Sequence, residues 1–166
     1  MALTTAQKAT LVTNILATPE ANTLYVDGNL SGLADYYNAI ATSDFWVWRR
    51  SVTKNEFVTS VSHDGTTFMW TGNGFIGRSQ GELTAWHELF NGSDTVNPSL
   101  ANVRAAFGDI FSGAGNAAAN RAHLLAVARR LATRLEQLFA SGAGTAANPA
   151  VMAVEGPLQV NDLIGL

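Results

Sequence analysis

The side chains best suited to chemistry are few and scattered. His63, His87 and His123 are the three imidazoles, and no two of them lie within one helical turn of each other. A zinc-binding helix of the metalloprotease kind needs two histidines four residues apart around a glutamate, whereas Trp86-His87-Glu88-Leu89-Phe90 supplies one. Histidines from distant segments can still meet after folding, which is the route left open to a metal. Ser60-Val61-Ser62-His63-Asp64 sets hydroxyls, an imidazole and a carboxylate side by side, as a hydrolase requires. Adjacent His and Asp side chains do not by position alone form the hydrogen bond that orients a base, and no nucleophile-elbow motif precedes them. A surface turn accounts for the same residues. Cysteine is absent, which removes the thiol nucleophile, the disulfide and every cysteine-based zinc site. No catalytic residue, cofactor or metal ligand is therefore assigned, and an enzyme is not expected.

Glycine-rich stretches carry no nucleotide signature. Gly72-Asn73-Gly74-Phe75-Ile76-Gly77 lacks the Gly-Lys-Ser/Thr end of a phosphate loop and the context of a dinucleotide fold. Gly113, Gly115 and Asn116 fit a break between helices. The aromatic segment Phe45-Trp46-Val47-Trp48-Arg49-Arg50 has the residues that stack bases and hold phosphate in single-strand binders, but its basic part is two residues long. The more economical reading is that one or two of these aromatics complete the core while the others among Trp46 and Trp48, with Arg49 and Arg50, anchor a protein interface, where Trp and Arg are favoured; plain core with solvated charges is the alternative. Arg130 and Arg134 are expected on one exposed helical flank with His123, where carboxylates from elsewhere in the fold or from a partner would relieve their mutual repulsion.

These residues sit in a chain of 166 residues and 17.6 kDa, the size of one domain with a core of its own. Ten basic against thirteen acidic side chains give a net charge of -3, which argues against a general nucleic-acid or anionic-membrane binder. Residues 101–140 hold five arginines and only Asp109 and Glu136, so the remainder is strongly acidic; such separation can orient neighbouring copies head to tail. The first residues lack the apolar run of a signal peptide, and no segment reaches the ~20 apolar residues of a membrane span, so a soluble chain is expected.

Mainly α-helical structure is predicted, a compact body of about five to six helices over residues 1–142 with an extended C-terminal arm over 143–166. Thr4/Gln7, Thr53/Glu56 and Ser79/Glu82 have capping-box spacing and open helices at about Thr5–Ala17, Lys54–Val61 and after Ser79. Pro19 ends the first, and 20–29 reads mostly as turn. Further helices are expected over Ser31–Ala41 and from Asn97-Pro98 onward. Val58–Ser62 and Thr66–Trp70 around Asp64-Gly65 also fit one short β-hairpin, which competes with the helix after Thr53. The longest periodic stretch predicts one helix over Ala117–Ala140, with Leu124, Leu131, Leu135 and Leu138 on its apolar side. In the arm, Val151, Met152, Val154, Leu158, Val160 and Leu163 are expected to lose water only on docking to a neighbour.

Several runs resemble small virion structural proteins of tailed bacteriophages. They are Met1-Ala2-Leu3-Thr4-Thr5-Ala6-Gln7-Lys8, Asp44-Phe45-Trp46-Val47-Trp48-Arg49, Thr71-Gly72-Asn73-Gly74-Phe75-Ile76, Asn97-Pro98-Ser99-Leu100-Ala101-Asn102-Val103-Arg104 and Ala128-Arg129-Arg130-Leu131-Ala132-Thr133-Arg134. The resemblance spans almost the whole chain and is nearest to the head-to-tail connector, or neck adaptor, type. It implies a helical, non-enzymatic protein of the virion neck, assembled in the host cytoplasm, that self-associates in a ring and meets the portal and the tail or head-closure proteins. It implies no membrane contact, and nucleic acid only as it passes through the ring lumen. Capsid accessory and tail-completion roles fit the same runs; a small hydrolase and a single-strand binder are the alternatives from other classes.

Overall fold

The computed structural model describes residues 3–166. Met1 and Ala2, which open the first of the resembling runs, lie outside the described residues. The chain forms helices α1 (Thr5–Ala17), α2 (Pro19–Val26), α3 (Leu30–Asn38), α4 (Lys54–Thr59), α5 (Gln80–Glu88), α6 (Ala101–Ile110), α7 (Asn116–Val127), α8 (Arg134–Leu138) and α9 (Val160–Leu163). Six short strands accompany them: β1 (Trp46–Trp48), β2 (Val52–Thr53), β3 (Thr95–Val96), β4 (Arg129–Leu131), β5 (Ala140–Ser141) and β6 (Val151–Met152). The fold is mainly α-helical, with nine helices among the described residues where five to six were expected. None of these helices is long and apolar enough to cross a membrane.

Among the described residues, four helix starts are closed by reciprocal caps with a Ser or Thr at the N-cap. At α1 the Gln7 amide donates to Thr4 Oγ1 at 3.3 Å, and the Thr4 amide donates to Gln7 Oε1 at 2.9 Å. Thr53/Glu56 at α4, Ser79/Glu82 at α5 and Thr133/Glu136 at α8 repeat the device. The first three agree with the spacing in the sequence. The fourth corrects the single helix predicted over Ala117–Ala140, because Thr133 starts a new helix instead of continuing an old one. Pro19 likewise opens α2 at its first turn, where a missing amide costs nothing, so 20–29 is largely helical. Asn97 accepts from the Ser99 amide and hydroxyl at 3.0 and 2.6 Å in a turn, and α6 begins only after Leu100.

Two compact units divide the chain, Met1–Val47 with Leu131–Leu166, and Trp48–Arg130. In the first, Leu11, Ile15, Leu33, Tyr37, Leu135, Leu158 and Leu163 are buried together. Residues 132–134 run beside 39–45: the Ala132 amide donates to the Phe45 carbonyl at 2.8 Å, Ala41 to Ala132 at 3.0 Å and Arg134 to Ala39 at 2.9 Å. These bonds take the backbone groups that a continuous helix would have used. Strands β5 and β6 pair antiparallel, Ala140 with Met152 and Ser141 with Val151. Asn38 clamps Leu158, donating from Nδ2 to its carbonyl at 2.9 Å and accepting from its amide at 2.7 Å. Residues 143–166 are thus part of this unit's core, which corrects the extended arm.

The second unit is built on rings. Phe57 meets Trp86, Phe90 and Phe107 edge to face at centroid distances of 6.4, 6.2 and 5.3 Å. Phe68 and Phe111 extend the cluster, and β2 pairs antiparallel with β3 through Val52 with Val96 and Thr53 with Thr95. Phe68 has more ring partners still, meeting Trp70, Phe75, Trp86, Phe111 and His123, and edge-to-face pairs add roughly 0.5–1.5 kcal/mol each beyond the area they bury. Helix α4 forms where the hairpin was the competing reading; the Asp64-Gly65 turn is nevertheless present, with the Gly65 amide on the Ser62 carbonyl at 2.9 Å.

Candidate functional site

A cleft with a volume of about 760 Å³ belongs wholly to the second unit. Its walls come from four places. Helix α4 with its N-cap brings Thr53, Lys54, Asn55 and Val58; α5 brings Trp86 and His87; the segment before β3 brings Asp94, and the loop after Phe68 brings Trp70 and Phe75. Trp86 is almost wholly buried and Phe75 half-buried, while Trp70 keeps 47% of its surface exposed. The volume falls in the range of binding clefts that combine apolar walls with a few polar groups.

The loop that carries Trp70 and Phe75 is held by asparagines on α7. Asn120, fully buried, accepts from the Met69 amide at 2.6 Å and donates to the Met69 and Gly74 carbonyls at 3.0 and 2.8 Å. One turn earlier, Asn116 donates to the Thr71 carbonyl at 3.0 Å. At the loop's exit, Arg78 donates to the Ser112 carbonyl at 2.9 Å and pairs with Glu82. Gly74 has no room for a side chain, since a Cβ there would lie 2.4 Å from the Met69 carbonyl oxygen. The loop is therefore fixed on several sides and presents Trp70 and Ile76 to solvent from a defined backbone.

The polar edge of the cleft centres on Lys54 and His87. Lys54 Nζ lies 3.1 Å from His87 Nδ1 and 5.8 Å from the centre of the Phe90 ring. An ammonium only donates, so Nδ1 is the acceptor in this contact. Beneath, burial pushes the Glu56 carboxyl up, but the Thr53 amide, Arg49 and the Thr53 hydroxyl together outweigh it and hold the group below its ordinary value. At Glu82 the Ser79 hydroxyl and amide, with Arg78, lower the carboxyl in the same way. The arrangement can seat an apolar or aromatic group with a polar end.

No protein-family model, curated protein or solved structure matches the chain.

The residues that the sequence singled out for an interface differ in exposure. Trp46 is buried, and Trp48 is half-buried beneath the Arg104 guanidinium at 4.6 Å. Arg49 pairs with Glu56 at 2.5 Å, and Arg50 is exposed. Arg130 is half-buried, and Arg134 stacks on Tyr36 in the first unit. Met152, Val154, Leu158 and Leu163 are core residues that lose water when the chain itself folds, whereas Val151 and Val160 remain exposed. His123 is a further correction: it is buried, with Nε2 donating to the Phe57 carbonyl at 2.8 Å and Nδ1 3.1 Å from Thr66 Oγ1. Around the hydrolase-like run, Ser62 Oγ bonds Thr66 Oγ1 at 2.7 Å and Asp64 pairs with Arg129 at 2.5 Å. Among the described residues, no three His, Asp or Glu side chains converge as a metal site requires. The cleft was missed because its walls are distant in sequence; the available signal was Asn116 and Asn120, four apart on an alanine-rich helix.

Proposed function

We propose that the chain is a structural virion protein of the head-to-tail adaptor type, which self-associates in a ring between portal and tail. The observation that carries the reading is an uneven charge. The first unit holds two basic and seven acidic side chains, net -5, and the second holds eight basic and six acidic, net +2. Unlike charges on two different surfaces favour a heterologous contact, in which the second unit of one copy meets the first unit of the next. Repeated, such contacts close into a ring when the rotation between copies allows it.

Exposed apolar side chains are available on both sides. The second unit offers Trp70 and Ile76 beside the cleft, and the first offers Leu16, Val26 and Ile164. Burying them contributes about 25 cal/mol per Å², while the opposed charges set orientation and rate. In the hydrolase-like run Ser62 bonds Thr66 and Asp64 pairs with Arg129, contacts that serve the fold.

Mass measurement of the purified protein, alone and with portal rings, tests the proposal. Discrete oligomers, or a stoichiometric complex with the portal, are expected at low salt, weakened by added salt and by Trp70→Ala. A protein that stays monomeric at low salt and ignores portal rings overturns it. Cross-linking within intact particles distinguishes the neck from the capsid-accessory and tail-completion positions.

A further inference from the structure

A second pocket, about 290 Å³ in volume, lies within the first unit. We propose that it binds a small oxyanion of the phosphate class, with Arg134 as its anchoring cation. The guanidinium stacks on the Tyr36 ring at 4.2 Å and donates from Nη1 to the Tyr36 carbonyl at 3.0 Å. Those two contacts fix its plane. Nε and Nη2 have no acceptor among the described residues, and no carboxylate lines the pocket, although the unit as a whole carries a net charge of -5. In so acidic a unit, a half-buried arginine without a carboxylate partner leaves its charge to be met by something else.

The remaining lining is neutral and rich in donors: Asn14, Thr18, Thr42 and Gln137, with Tyr37 behind them. Tyr37 donates its hydroxyl to Asn14 Oδ1 at 2.7 Å, which turns the amide so that Nδ2 is the group left over. Burial, reinforced by Tyr36, pushes the Tyr37 hydroxyl up, so it keeps the proton this contact requires. A planar fork with two donors on one edge matches two oxygens of a phosphate, and amide and hydroxyl donors complete such a shell without adding charge. The volume exceeds that of a bare phosphate, leaving room for a small polar ester.

Titration of the full chain with inorganic phosphate, glycerol 3-phosphate and acetate at constant ionic strength, followed by amide and arginine Nε–H NMR shifts, tests the proposal. Saturable shifts confined to residues around Arg134 are expected with both phosphates and not with acetate. Tighter binding of the ester identifies a phosphate monoester as the ligand, and equal binding identifies the free ion. Arg134→Lys should weaken binding about tenfold, since an ammonium lacks the fork. Gln137→Leu, which leaves the Tyr36 stack intact, should weaken it as well, while Arg50→Gln should not. Shifts that do not saturate, equal binding by wild type, Arg134→Lys and Gln137→Leu, or acetate binding as tightly as phosphate, each overturn the proposal. The measurement needs no oligomer, so its outcome is separate from that of the adaptor reading.

Discussion

Asn120 holds Met69 by both faces of its peptide, accepting from the amide at 2.6 Å and donating to the carbonyl at 3.0 Å. The side chain takes the place of a neighbouring strand for one residue of irregular chain. Asn38 does the same for Leu158 in the first unit, at 2.7 and 2.9 Å. In both units an asparagine on a helix gives partners to the backbone of a distant non-helical segment.

Asn120→Leu should cost about 1–3 kcal/mol, because three backbone groups lose a partner that is itself fully buried. The urea midpoint reads the loss. Fluorescence should also change, since Trp70 and Phe75 lose the loop that places them. An unchanged midpoint would show that the clamp contributes nothing.

Thr133→Ala removes the side-chain cap of α8, where the Glu136 amide donates to Thr133 Oγ1 at 3.2 Å. A loss of about 1 kcal/mol is expected. Far-UV circular dichroism should show no gain in helix, because the break at 128–133 is held by bonds from Ala132 and Arg134 to 39–45 as well as by the cap. A rise in helix content would mean that the cap alone separates α7 from α8.

Glu56 predicts a specific acid limb. Its folded-state carboxyl is lowered from the ordinary 4.5, so its contribution is present above that pH and is lost as the pH falls through the lowered folded value. Glu56→Gln should therefore be less stable than wild type near neutrality, and the difference should shrink below pH 4.5. Denaturant midpoints measured across that interval check it. A constant difference would contradict the assigned cause.

Gly74 and Gly81 predict opposite outcomes for one substitution. A Cβ on Gly74 meets the Met69 carbonyl oxygen at 2.4 Å, whereas one on Gly81, inside α5, meets nothing within 4 Å. Gly74→Ala should destabilise through that clash with backbone. Gly81→Ala should stabilise by about 0.5–1 kcal/mol, since alanine loses less freedom in a helix. Thermal midpoints of the two variants should move in opposite directions.

Local features were legible where donor and acceptor are close in sequence. Thr4/Gln7, Thr53/Glu56 and Ser79/Glu82 each span three residues, and each cap forms at the predicted helix start. Thr133/Glu136 has the same spacing but lay inside an apolar periodicity running on to Phe139, and the period outweighed the cap. The buried state of His123 was not legible because its partners, the Phe57 carbonyl and the Thr66 hydroxyl, are far away in the chain. The tail misled for the same reason. Glycines and prolines around a short apolar run suggest a loose arm, yet Asn38 and the core of the first unit claim Leu158 and Leu163.

By itself the sequence determined the helical class, the three cap-defined helix starts, the absence of cysteine chemistry and the uneven charge, because each depends on residue type or on neighbours within a turn. Tertiary structure decided where the predicted long helix breaks, that residues 143–166 join a core, and which side chains border the cleft and the Arg134 pocket. Those outcomes rest on hydrogen bonds and burial between segments distant along the chain, and such contacts acquire their partners only once the backbone has folded.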